Sequence, residues 1–150
     1  MTRVQTCALP ISVVSGIPIR GIDHVVIRCR DLDAMLRFYR DVLGCSLARH
    51  NATLGIHHLR AGAALIDLVG MDSEAGRRGG AAPGPDAHNV DHVCLQVDPF
   101  DVAAIAAWLR GHGVEPEAVK QRFGAGGEGP SIYLRDPDGN GLELKGPASQ

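Results

Sequence analysis

The run Ile22-Asp23-His24-Val25-Val26-Ile27 recurs almost unchanged as Val90-Asp91-His92-Val93-Cys94-Leu95. Each copy is a short, β-branched run with one histidine at the same place. A turn follows each copy, and then an amphipathic helix opened by an aspartate, Asp31 in the first half and Asp101 in the second. Each half closes on a run with a carboxylate among apolar residues: Leu65-Ile66-Asp67-Leu68-Val69 and Gly141-Leu142-Glu143-Leu144. A unit repeated with one histidine and one acid predicts a single site where two halves meet.

Working outward, the order reads β-α-β-β-β, twice. In the first strand His24, Val26 and Arg28 point one way, and Asp23, Val25 and Ile27 the other. Asp31 is placed to cap the next helix, whose stripe is Met35, Phe38, Tyr39, Val42 and Leu43, and Gly44 stops it. Cys45 to Ala48, Ile56 to Leu59 and Ala63 to Val69 are expected strands. Met71 to Asn89 has neither helical nor strand period and is rich in Gly, Ala and Pro, so it reads as the linker between modules of about residues 20–70 and 90–146. In the second half, Val90 to Val97 is a strand, and the helix after Asp101 buries Ile105, Trp108 and Leu109. Val114 to Lys120 is an expected strand and Phe123 to Pro130 a glycine-rich loop. Ser131 to Arg135 alternates as a strand with Ser131 and Tyr133 on one face. Asp136-Pro137-Asp138-Gly139 suits a type I turn, and Gly141 to Lys145 is the last strand.

A chain of 150 residues can bury a core, and a net charge of −2 without a basic stripe argues against nucleic-acid binding. No apolar run approaches the ~18 residues of a membrane span. The four cysteines have neither CxxC spacing nor disulfide-scaffold density, which points to a reduced, cytoplasmic setting. Arg3 to Ser12 reads like the conceptual translation of a sequencing-adapter oligonucleotide. Residues 1–15 are therefore set aside as non-native or disordered, and the domain is taken as 16–150.

Two strand histidines and a carboxylate can hold a divalent metal and leave positions open. His24 and Asp67 come from one half, His92 and Glu143 from the other. Each acid lies between apolar neighbours, and a buried carboxylate needs a cation or several donors. His57 and His58 occupy one strand, so one of them faces the same side as these groups.

From Gly21 to Gly146 the chain resembles the vicinal oxygen chelate superfamily of glyoxalase I, extradiol dioxygenases, fosfomycin-resistance thiol transferases, methylmalonyl-CoA epimerase and bleomycin-resistance proteins. The residues that carry the resemblance are Ile22-Asp23-His24, Arg37 to Gly44, Val90-Asp91-His92 and Asp136 to Asn140 with Leu142-Glu143-Leu144. It implies an α+β fold of two tandem βαβββ modules forming a curled mixed sheet around a central cleft, often in a homodimer. It implies His24, His92 and Glu143 as ligands of Zn, Ni, Mn or Fe, with Asp67 at a glutamate position of glyoxalase I, one methylene short. It places Arg28 where glyoxalase I contacts a glutathione carboxylate, and Ser131 and Tyr133 at substrate positions of the fosfomycin enzymes. A glyoxalase-like isomerase or lyase with Glu143 as base is the implied activity, on a small substrate with neighbouring oxygens, such as a thiol conjugate. An Fe(II) dioxygenase, a Mn(II) thiol transferase and a drug-binding protein are the alternatives.

Overall fold

A computed structural model describes Ile17 and residues 19–149; the segment 1–15, expected to be non-native, lies outside the described residues. The first module runs β1 (His24–Cys29), α1 (Leu32–Arg37), β2 (Ser46–Asn51), β3 (Ile56–Ala61) and β4 (Ala64–Gly70). The second runs β5 (His92–Gln96), α3 (Val102–Gly111), β6 (Lys120–Gly124), β7 (Gly127–Arg135) and β8 (Gly141–Lys145). A one-turn helix, α2 (Glu74–Arg77), lies between them. Each module is a four-stranded sheet, ordered β1-β4-β3-β2 and β5-β8-β7-β6. The first strand of each pairs in parallel with the last, and the remaining pairs are antiparallel. This is the α+β architecture of two tandem βαβββ modules that the family resemblance implies.

Local chemistry accounts for the helix ends. Asp31 Oδ1 accepts from the Ala34 amide at 2.9 Å, and Asp101 Oδ1 accepts from the Ala104 amide at 3.0 Å. Beyond Arg37 the first helix widens into a π-helical turn over Phe38–Val42, with the Leu43 amide bonded five residues back to Phe38. Phe38 and Tyr39 both stay buried in this turn. Gly44 then takes a φ of +76°, a backbone that costs other residues more.

The structure departs from the sequence reading in four places. Residues 114–119 form no strand; Pro116 has no N–H for a ladder, and the strand starts later, at Lys120. The glycine-rich stretch is a β6–β7 hairpin instead of a loop. A side chain at Gly124 would collide with Lys145, so the hairpin's small residues make room for that lysine. The linker contains α2, capped by Ser73 Oγ, which accepts from the Gly76 amide. Trp108, expected in the core, is 53% exposed; its indole N–H donates to the Val42 carbonyl at 2.9 Å.

One apolar cluster joins both modules. It takes Ile27, Cys29, Leu59, Ile66 and Leu68 from the first sheet, Met35, Phe38 and Tyr39 from the first helix, Leu109 from α3, and Leu134, Leu142 and Leu144 from the second sheet. The two sheets therefore share a core through their helix-covered faces. By alternation, His24, Asp67, His92 and Glu143 lie on the opposite, outward faces.

A polar latch supplements this core. Asp136, 5% exposed, accepts from the Tyr39 hydroxyl of the first module at 3.1 Å and from the Asn140 side-chain amide at 2.8 Å. The Asp138 carboxylate accepts from the backbone amides of Arg30 and Asp31. The Asn89 side chain bonds both the amide and the carbonyl of Arg28, and also reaches Asn140. Removing the Asp136 carboxylate strands several buried donors, so Asp136→Ala should cost about 3 kcal/mol, whereas Tyr39→Phe should cost about 1 kcal/mol. Urea unfolding followed by circular dichroism measures both.

Candidate metal centre

On β5 and β8 the repeat places His92 beside Glu143. The strands are in parallel register, Cys94 opposite Glu143, with His92 one step away on the same face. His92 Nε2 lies 3.3 Å from Glu143 Oε2. On the other side of the ring, Nδ1–H donates to Asp91 Oδ1 at 2.6 Å. That bond leaves a lone pair on Nε2, facing Glu143 Oε2, with the Tyr133 hydroxyl 3.3 Å from Nε2 and 3.0 Å from Oε2. The single Tyr133 proton serves only one of these two acceptors at a time, and imidazole with carboxylate is a donor set that divalent zinc, nickel, manganese and iron accept. The residues present therefore fit the metal that the repeat implies.

Glu143 is 5% exposed and well supplied with donors. The Ser131 hydroxyl donates to Oε1, and the Tyr133 hydroxyl donates to Oε2 at 3.0 Å. Burial pushes this carboxyl upward, but Ser131, Tyr133 and Cys94 together outweigh it and hold Glu143 below its ordinary range. Tyr133 is in turn raised, by desolvation first and then by its bond to Glu143. The Cys94 thiol is pushed up to about 11, by desolvation and by the neighbouring Glu143 charge. Arg122 stacks over the Tyr133 ring at 4.7 Å, and the buried Lys145 ammonium donates to the carbonyls of Arg122 and Gly129. A hollow of about 160 Å³ adjoins His92, Tyr133 and Gly141. A larger one, about 780 Å³, opens on the helix side beside Arg37, Asp41 and Glu117, away from this chemistry.

The first module carries the matching half. His24 Nδ1–H donates to Asp23 Oδ1 at 2.8 Å, a bond that raises the imidazole's pKa, assisted by the charge of Asp67. Asp67, 4% exposed, accepts from His58 Nδ1–H at 2.8 Å. His57 takes the other face, stacked on His50 at 4.1 Å between ring centres. Desolvation lowers its pKa. Arg28 also lies on the outward face, but the linker holds it: its Nη1–H donates to the Gly80 carbonyl, and its guanidinium packs on Gly79.

The structure thus unites His92, Glu143, Ser131 and Tyr133, and keeps His24 and Asp67 apart from them. Among the described residues, no three His, Cys, Asp or Glu side chains of one chain come together as a metal site. Sequence reasoning missed Asp23 and Asp91 as imidazole partners, although the Asp-His pair stands in both copies of the repeat. It left His57 and His58 undecided; Leu59, buried in the core, fixes His58 outward by alternation.

The comparisons agree with this architecture. The model of the Glyoxalase/Bleomycin resistance protein/Dioxygenase superfamily matches residues 21–144, and the chain belongs to that family. Among its relatives is the glyoxalase domain-containing protein RDO1 of Mycosarcoma maydis, 32% identical over 127 residues, covering 84% of this chain and 68% of that one. Virulence protein STM3117 of Salmonella typhimurium is 32% identical over 123 residues, covering 82% and 81%. Its crystal structure superposes with a TM-score of 0.70 at 28% identity, over 88% of this chain and all of that one. The lactoylglutathione lyase of Agrobacterium tumefaciens gives a TM-score of 0.62 at 25% identity, over 87% and 96%.

The cysteine beside Glu143 offers a direct check on the site's electrostatics. Only the thiolate reacts, so a rise from 9.0 to about 11 predicts that Cys94 in metal-free folded protein alkylates about 100-fold more slowly at pH 8 than in unfolded chain. Glu143→Gln should speed the folded-state reaction, and Cys29, buried and held at about 12, should resist it. Peptide mass spectrometry after timed iodoacetamide exposure reads each site.

Proposed function

We propose that the protein is a divalent-metal-dependent, glyoxalase-like isomerase or lyase acting on a small molecule with neighbouring oxygens. It works as a homodimer in which His24 of one copy completes the site begun by His92 and Glu143 of the other. The observation that carries this reading is the His92–Glu143 pair, two acceptors 3.3 Å apart on an outward sheet face. The shared core turns the two half-sites of one chain away from each other, and β1 and β5 are sheet-edge strands that a second copy can approach.

The chemistry a zinc, nickel, manganese or iron ion would supply here is Lewis-acid polarisation of the substrate's oxygens. The chain supplies the rest. Glu143, held ionised by its donors, would accept the proton from the carbon beside the substrate's carbonyl and return it to the neighbouring carbon, so that no proton is lost overall. Ser131 and Tyr133 fix the carboxylate's orientation through their hydrogen bonds, and the family resemblance supports a second role for them as substrate contacts. Arg28, with guanidinium N–H groups beyond the one spent on Gly80, offers an anchor for a substrate carboxylate, such as that of a thiol conjugate.

A second reading draws on the bond between Asp67 and His58. With Asp67 so engaged, His24, His92 and Glu143 form a three-ligand set. The superfamily resemblance ties that set to Fe(II) dioxygenases and Mn(II) thiol transferases.

Metal analysis of the purified dimer should find one divalent ion per chain, lost in His24→Ala, His92→Ala and Glu143→Ala. The His24→Ala and His92→Ala proteins, inactive alone, should regain one working site per mixed dimer when unfolded and refolded together; mixed dimers that form without recovery would overturn the shared site. With Ni- or Zn-loaded protein and the methylglyoxal–glutathione hemithioacetal, Glu143→Gln should lower kcat about 100-fold or more. Arg28→Ala should raise KM. Ring cleavage of catechols by the Fe(II) protein, without thioester formation under any metal, would favour the second reading.

A further inference from the structure

Three outward-facing histidines share one construction. His24, His58 and His92 each donate Nδ1–H to an aspartate: to Asp23 at 2.8 Å, Asp67 at 2.8 Å and Asp91 at 2.6 Å. For His24 and His92 the aspartate is the preceding residue, so the repeat explains them. For His58 it comes from the neighbouring strand, opposite in register, so β3 and β4 must pair correctly to make it. A carboxylate behind Nδ1 fixes the tautomer, orients the ring and makes Nε2 the more basic nitrogen, which is how proteins prepare imidazoles for metals.

Asp67 itself is poorly placed to ligate. It is 4% exposed, one methylene shorter than a glutamate, and already bound to His58. His58 stands further out, its side chain 21% exposed. Its Nε2 has no protein partner among the described hydrogen bonds, whereas its Nδ1 is held. The ring extends the reach that the short acid lacks.

We propose that His58, with Asp67 behind it, is the first module's second metal ligand, so that the completed centre is His24, His58, His92 and Glu143. Asp67 is then a positioning residue. This rests on the metal-enzyme reading above and goes further by naming a donor set of three imidazoles and one carboxylate.

The test counts imidazoles. Dimer grown with ¹⁵N-histidine and loaded with Cu(II) as a spin probe is measured by pulsed electron paramagnetic resonance, and Zn(II) affinity is measured by chelator competition. Wild type should show three coupled imidazoles, and His58→Ala two, with Zn(II) bound about 100-fold more weakly. Asp67→Asn should keep all three, with affinity down about 10- to 100-fold, the usual effect of losing a carboxylate behind a ligand. His58→Gln, which retains a donor for Asp67, guards against a folding defect and should also show two. An unchanged imidazole count and affinity in both His58 variants, with metal still lost in His92→Ala, would overturn this assignment and leave the metal-enzyme reading standing. Wild-type protein that takes up no metal would overturn both.

Discussion

Asp136 is a carboxylate in the shared core of two modules, and its neighbours explain why it stays there. Burial raises its pKa, while bonds from Asn140, Tyr39 and the Asp138 amide pull it back. A charge so placed is tolerated only where its donors are fixed, and one of those donors belongs to the other module. Asp138, two residues on, gathers the amides that precede α1, and Asn89 fastens the outer edge of β1 at Arg28. The Asp136–Asn140 turn is therefore both the connection between β7 and β8 and the means by which the second module grips the first. That grip sets the sheets core to core and sends their histidines outward.

Much of this was legible in the residues. The repeated Asp-His run located β1 and β5, the capping aspartates located α1 and α3, and the buried acids located β4 and β8. These signals are local: alternation, capping and turn chemistry need only a few neighbours. Trp108 was misplaced because an amphipathic stripe identifies a helix but not how deep its margin lies. The β6–β7 hairpin was missed because its pairing depends on backbone groups, and glycine-rich sequence shows no side-chain period.

The centre was legible by residue and illegible by geometry. His92 and Glu143 meet because parallel register aligns two strands whose patterns were already visible. His58 and Asp67 meet across β3 and β4, and that contact follows from a hairpin register that a one-residue slip would have reversed. Arg28 faces the expected side, yet the linker claims part of its hydrogen-bonding capacity, a long-range choice beyond any local pattern. The orientation of one module against the other is set by Tyr39, Asp136 and Asn89, residues far apart in the chain.

The chain's single tryptophan gives the junction an optical signature. Trp108 rests on α3 with its indole bonded to a carbonyl of the first module and its ring 4.3 Å from that of His112. Its emission therefore reports on contact between the modules, from the helix side of the molecule. A change in colour or intensity would register the modules parting, while events confined to the outward faces would pass nearly unseen.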